Sequence, residues 1–170
     1  MEAIFTRRSI RRYADKPVDA GAVEKLLAAA MAAPSAGNEQ PWEFIIVTDQ
    51  ATRAEITNIH PYSQMLKQAP VAIVVCADKA RSRYPVEYWV QDCAAATQNI
   101  LLAATALGLG TCWLGVHPVA ERVEGVRRIL AIPEAIVPFA IVAVGHPAEQ
   151  QGRVDRYDPT RIHHERYGRG

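Results

Sequence analysis

Val71-Ala72-Ile73-Val74-Val75-Cys76-Ala77 is apolar at every position and rich in β-branched side chains. A strand with one wet face alternates apolar and polar residues, whereas an unbroken run of this kind belongs to a central strand covered on both faces. The flanking sequence supplies the covers. Upstream, Ala20 to Ala33 reads as a helix, with Asp19 as its N-cap and Val23, Leu26, Leu27 and Ala30 on one face. Phe44 to Thr48 reads as another strand, Gln50 to Asn58 as a weaker helix and Tyr62 to Gln68 as a short one. Downstream, an alanine-rich helix runs from about Val86 to Leu107 and stops at Gly108 and Gly110. Thr111 to Val116 and Pro138 to Val144 are further strands, with a helix over Val119 to Leu130 between them, and Met1 to Arg8 looks helical. Helices and strands alternate irregularly, without internal repeats or low-complexity tracts, which indicates a layered α/β or α+β domain.

Two segments of this layout lack a partner. The helix around 89–107 is apolar on nearly all sides and therefore needs cover on nearly all sides, which a second copy of the chain would provide. The last 25 residues are polar, arginine-rich and poor in core residues, and they too need something to lean on.

The composition narrows the possibilities. A chain of 170 residues, 49% hydrophobic and 22% charged, makes one globular domain with a sizeable core. A net charge of +1 gives no global field toward nucleic acid or a membrane surface. The opening MEAIFTRRS has no apolar signal-peptide core, and no run approaches the ~18 apolar residues of a membrane span, so a cytoplasmic protein is expected. Cys76, Cys93 and Cys112 stand far apart in apolar surroundings, as reduced core thiols would. The five histidines show no metal-site spacing, and no metal is expected.

Two motifs carry chemistry. Pro34-Ser35-Ala36-Gly37-Asn38-Glu39-Gln40-Pro41-Trp42 sets prolines, a glycine, amides, a hydroxyl and an indole between a helix and a strand. Such a loop offers backbone donors, side-chain amides and a flat ring to one polar, planar ligand. Arg7-Arg8-Ser9-Ile10-Arg11-Arg12-Tyr13 puts four arginines into six positions of a nearly neutral chain. If extended, it places Arg7, Ser9 and Arg11 on one side and Ile10 on the other, and guanidinium forks match phosphate oxygens. The alternative for this stretch is a solvated basic face. Gly108-Leu109-Gly110 follows a helix, and position 113 is Trp rather than a third glycine, so it is no dinucleotide fingerprint. With no nucleophile elbow and no evident paired carboxylates, the chain shows a phosphate-ligand site but few side chains that could do chemistry themselves. A cofactor is expected to perform the reaction.

These residues, together with Gly110-Thr111-Cys112-Trp113-Leu114-Gly115, the Ala106–Gly110 helix ending and Gly145-His146-Pro147, resemble the FMN-dependent nitroreductase family in order and spacing across essentially the whole chain. The resemblance implies an α+β, three-layer α/β/α sandwich with a small mixed sheet and a long apolar helix at a dimer interface. It implies a single FMN-binding domain over 1–170, whose C-terminal arm, about 147–170, packs on the partner subunit. It further implies a homodimer with two shared FMN sites. Arg7, Arg8, Ser9 and Arg11 would hold the phosphate, ribityl chain and pyrimidine edge. Pro34, Ser35, Ala36, Gly37 and Asn38 would approach the same flavin from the other subunit, with Gln40 supporting the loop. Leu114 and Gly115 would offer backbone N–H groups near flavin N5 and O4. Arg156, or else Arg153, would complete the phosphate site, and Gln64 is a further candidate. Trp42 and Trp113 are either core residues or walls of the flavin pocket. NADH or NADPH would deliver hydride to flavin N5, and a small-molecule acceptor (a nitroaromatic, a quinone or a flavin) would collect the electrons in ping-pong fashion, with no catalytic side chain. The alternatives are a flavin carrier or redox-sensing module without turnover, and a specialised flavin enzyme for dehydrogenation or dehalogenation.

Overall fold

The computed structural model describes residues 1–168. The order of elements is α1 (Glu2–Thr6), α2 (Ala20–Met31), β1 (Trp42–Val47), α3 (Gln50–Ile59), β2 (Val71–Asp78), α4 (Trp89–Ala106), β3 (Gly110–Gly115), α5 (Ala120–Leu130) and β4 (Ile136–Gly145), with short 3-10 turns between some of them. The strands form one sheet in the order β1-β2-β4-β3.

Every neighbouring pair in that sheet is antiparallel, which corrects the mixed sheet expected from sequence. The reason lies in the connections. The linker carrying α3 leaves β1 at Val47 and enters β2 at Val71, the same end of the sheet, because Val47 lies opposite Ala72. The α5 linker likewise begins and ends at one end, since Gly115 lies opposite Ala140. Only α4 crosses the sheet. The strands it joins, β2 and β3, run parallel, but β4 lies between them. Among the described residues the only parallel pairing is an isolated bridge between Ser9 and Thr111.

The unbroken apolar run of β2 is buried on both faces, as its composition demands. Val71, Ile73, Val75 and Ala77 pack with Leu26, Ala30, Cys93, Ala96 and Ile100 of α2 and α4. Ala72, Val74 and Cys76 face the other way, toward Ile56 of α3 and Val126 of α5. The result is an α/β/α sandwich. The β2–β4 register shifts between Val75 and Cys76, where Cys76 lies opposite Pro138, a residue without an N–H to give the ladder. Asp19 caps α2, accepting a hydrogen bond from Ala22 N. Arg53 makes the weakly apolar α3 a core helix: it is 6% exposed, and its Nη1 donates to Leu66 O at 2.7 Å and to Ala69 O.

The long helix starts at Trp89, three residues later than the sequence suggests, and Tyr84 to Tyr88 is an exposed turn before it. Within one chain α4 is not fully covered: Ala94, Ala95 and Leu102 stay half-buried on its outer side. Residues 151–157 are exposed throughout, and Tyr157, Ile162 and Tyr167 present side chains away from this chain's core. No helix among the described residues is long and apolar enough to cross a membrane.

Candidate functional site

The arginine segment runs alongside β3, the outer strand of the sheet. Ile10 N donates to Thr111 O at 2.8 Å, and the bridge Tyr13–Pro147 ties the segment's far end to the chain beyond β4. Ile10 points into the core, as the alternation requires. Gly110 has to be bare to let it in, since a Cβ there would lie 2.9 Å from the Ile10 side chain.

Peptide groups along an antiparallel strand turn alternately toward and away from the partner. Val116 N donates to Phe139 O of β4, and Thr111 O points outward to Ile10 N. Thr111, Trp113 and Gly115 therefore present their N–H and C=O groups at the open edge, while those of Cys112 and Leu114 turn toward β4. Of the two N–H groups expected to face a ligand, the edge geometry offers that of Gly115 and turns that of Leu114 into the ladder. Leu114 still lines the space beside it: Arg11, Gln64, Leu114, Gly115, His60 and Arg122 surround a cavity of about 460 Å³. Trp113, half-buried and 6.0 Å from Phe139, forms part of its wall, whereas Trp42 is a core residue. Nothing lies within 4 Å of where a Cβ on Gly115 would be.

A second cavity, of about 300 Å³, brings Arg7, Arg8 and Arg156 together with Phe5, Asp155 and Tyr157. Arg8 Nε donates to Gly152 O at 2.6 Å, and its Nη2 is buried without a partner among the described residues. Among the described residues none of Arg7, Arg8, Arg11 and Arg156 pairs with a carboxylate. Arg153 does: it lies 3.9 Å from Glu2 and 4.6 Å over the Phe5 ring, outside this cluster. The Ser9 carbonyl accepts from Gln151 Nε2 at 3.1 Å.

The Pro34–Gln40 loop is braced from within and from α4. Gly37, Asn38 and Gln40 have φ of 54°, 56° and 50°, a left-handed conformation that strains residues other than glycine. Two supports are local, Ser35 Oγ accepting from Gln40 N and Gln40 Nε2 donating to Asn38 Oδ1, and one comes from α4, where buried Asp92 accepts from Ala36 N, each at 3.0 Å. Burial raises the Asp92 carboxyl above its usual range, with the Ala36 N–H opposing and the Glu39 charge adding to the rise. Glu39, itself buried, accepts from Arg83 N, and the Tyr84 ring lies against Gly37. This loop leads into β1, the opposite edge of the sheet from β3. Three strand spacings, about 14 Å, separate those edges. One chain thus holds the two sets of sequence-predicted residues apart.

Several site residues escaped the sequence reading. Glu149 Oε1 accepts from the N–H groups of Arg11 (2.7 Å) and Arg12 (3.3 Å), fixing the arginine segment's backbone. His60 and Arg122 both bind the Gly115 carbonyl, His60 Nε2 at 2.9 Å and Arg122 Nη1 at 2.9 Å. The only local signal was that His60 precedes Pro61, a turn mark. A carbonyl only accepts, so Nε2 carries the proton, and Nδ1 is left buried without a partner among the described residues. Burial pushes the His60 pKa below its ordinary 6.5, the Gly115 hydrogen bond opposes this, and the nearby Arg122 charge adds to the lowering. Below about pH 6.5 the unfolded chain then binds the proton more tightly than the fold, so acidification removes stability. The imidazole nitrogen shifts of His60 at about pH 8, above the ordinary histidine range, are expected to show the neutral Nε2–H tautomer; a neutral Nδ1–H tautomer would contradict the geometry. Burial pushes the thiols of Cys76 and Cys93 each up to about 12 and raises that of Cys112, which lines the main cavity.

Comparison with known proteins shows the family. The model of the nitroreductase family matches residues 4–146. A Methanothermobacter thermautotrophicus protein, provisionally named NADH dehydrogenase/NAD(P)H nitroreductase, is 51% identical over 167 residues, covering 98% of this chain and 87% of its own. An FMN-dependent nitroreductase from Clostridium difficile superposes with a TM-score of 0.90 at 30% identity, covering 98% of this chain and all of its own. A nitroreductase-like protein from Desulfovibrio desulfuricans, solved in complex with FMN, gives a TM-score of 0.83 at 34% identity, covering 98% of this chain and 96% of its own. The chain belongs to the nitroreductase family.

Proposed function

We propose that the chain is an FMN-dependent NAD(P)H oxidoreductase that works as a homodimer with two shared flavin sites. The observation that carries this reading is the open edge of β3, where Gly115 presents its N–H beside a cavity and leaves bare the space a Cβ would fill. The donor set fits FMN. A cluster of cationic side chains, including a buried and unpartnered Arg8 Nη2, suits a phosphate, while Arg11, Gln64 and the Gly115 N–H suit the polar edge of a flat ring.

Arg7, Arg8 and Arg156 would hold the phosphate, and Ser9 the chain between phosphate and ring. Arg153, engaged with Glu2, would join them only if the arm shifts on assembly. Arg11 and Gln64 would face the pyrimidine edge, and Gly115 N–H the N5–O4 side. Pro34, Ser35, Ala36, Gly37 and Asn38, stiffened through Ser35 and Gln40, would come from the second copy, because in one chain they lie at the opposite sheet edge. That second copy would also cover α4 and give the arm from residue 147 onward a surface. The chemistry FMN supplies when bound is two-electron transfer, taken up as hydride from NADH or NADPH and passed to a small acceptor such as a nitroaromatic, a quinone or a flavin. The arginines and the Gly115 N–H stabilise the negative charge that reduction brings to the pyrimidine edge. Relatives with 28% identity are named FMN reductase (NADPH), in Bacillus subtilis, and oxygen-insensitive NADPH nitroreductase, in Salmonella typhimurium.

Anaerobic titration of the flavin-loaded protein with NADH and with NADPH tests the reading. Bleaching of the visible flavin band, reversed by a nitroaromatic or quinone, is expected. A flavin that neither nicotinamide reduces would mark a binding module without turnover, and a monomer that binds FMN tightly would refute the shared site.

A further inference from the structure

The two donors on the Gly115 carbonyl do more than satisfy it. Gly115 ends β3, is exposed, and has no Cβ to restrict it, so it is the least constrained residue along the open edge. In a strand the N–H and C=O of one residue point to the same side. The Gly115 carbonyl shares its peptide plane with Val116 N–H, which donates to Phe139 O, so two further donors on that carbonyl pin the end of β3 and help keep Gly115 extended, the conformation in which its N–H faces the edge.

His60 is built to do this. Its ring is 2% exposed and reaches Gly115 from 55 residues away in sequence. Its backbone is held on both sides: His60 N donates to Ile56 O at 3.2 Å, and His60 O accepts from Ser63 N at 3.1 Å and Ser63 Oγ at 2.6 Å. A buried Nδ1 with no partner is tolerated, so the ring is oriented by its other nitrogen alone, the one on Gly115. Arg122 Nη1 reaches the same oxygen from the first turn of α5 and lies 5.8 Å from the Tyr62 ring. Two elements from the same layer, α3 and α5, thus converge on one peptide oxygen at the lip of the cavity.

We propose that His60, with Arg122, is a positioning residue: by pinning the end of β3 at the Gly115 carbonyl it keeps the Gly115 N–H facing the N5–O4 side of bound FMN and so tunes flavin affinity and reduction potential. This rests on the FMN reading above. Neither side chain needs to touch the cofactor. A glutamine at position 60 can place an amide N–H near the site of Nε2, whereas a phenylalanine fills the volume without donating.

The test compares wild type, His60→Gln, His60→Phe and Arg122→Met, measuring the FMN dissociation constant by fluorescence quenching on apoprotein and the flavin midpoint potential by dye equilibration. His60→Phe is expected to weaken FMN binding by about tenfold, the worth of roughly one hydrogen bond. It should also shift the potential to more negative values, because a misdirected N–H no longer stabilises the reduced form. His60→Gln should recover most of both. Arg122→Met, at a half-buried position, should shift both in the same direction as His60→Phe, and it decides the matter if the phenylalanine variant does not fold. Normal FMN affinity and potential in a folded His60→Phe or Arg122→Met protein would overturn the positioning role while leaving the cofactor assignment intact. A wild-type protein that does not bind FMN would remove the cofactor assignment itself, and this inference with it.

Discussion

Truncation of Trp89 to alanine is expected to destabilise the fold by about 3–5 kcal/mol, the range for deleting a buried indole. Trp89 is 2% exposed and opens α4 at the end of the sheet where Gly115 lies. Its ring meets His117 edge-on at 4.8 Å and Phe139 at 6.4 Å, and Phe139 in turn packs on Trp113 in the cavity wall. No small neighbour can fill the void, because β2 and β4 are already close-packed beneath it. The indole N–H has no partner among the described residues, so Trp89→Phe should cost less than the alanine change despite also losing volume. Urea unfolding followed by circular dichroism, at one protein concentration because assembly would shift the midpoint, reads both variants. A loss below about 1 kcal/mol for the alanine variant would mean that the cluster does not hold this end of the sheet together.

Arg11→Ala should have the largest effect on cofactor binding, weakening FMN by about 10- to 100-fold, since one charge-assisted hydrogen bond contributes roughly 1.5–3 kcal/mol. The guanidinium reaches the main cavity, and its only hydrogen bond among the described residues is a long 3.5 Å contact to Ser9 O. Its backbone, by contrast, is fixed through the N–H held by Glu149. The substitution therefore removes a donor without releasing the segment. Fluorescence titration of apoprotein with FMN measures the change, and the thermal midpoint of the apoprotein should stay close to wild type. Unaltered FMN affinity would remove Arg11 from the site.

Much of the fold was legible. The uninterrupted run at Val71–Ala77 marks the central strand, Asp19 marks the start of α2, and the glycines after the long helix mark its end, because each of these signals is local. The sheet pairing was not legible. Whether β2 and β3 become neighbours depends on where β4 inserts, a choice made by contacts far apart in sequence. Arg53 reads as a surface residue on a weak helix until the carbonyls of Leu66 and Ala69 are seen around it. Within the site, runs of special residues were legible and lone supports were not. The arginine cluster and the Pro34–Trp42 loop stand out by composition, whereas His60, Arg122 and Glu149 act through single bonds to backbone atoms. Such a bond places no demand on the partner's side chain, so it leaves no motif.

The outward peptide groups of β3 have a meaning beyond recognition. Thr111 O is taken by Ile10 N, and the Gly115 carbonyl by His60 and Arg122. The N–H and C=O of Trp113 and the N–H of Gly115 still face outward, and a strand edge in that state invites pairing with any extended chain it meets. Whatever ligand settles against this stretch also denies it to stray strands. The same few atoms that would govern electron transfer would then govern solubility, and flavin-starved protein would be the form that aggregates.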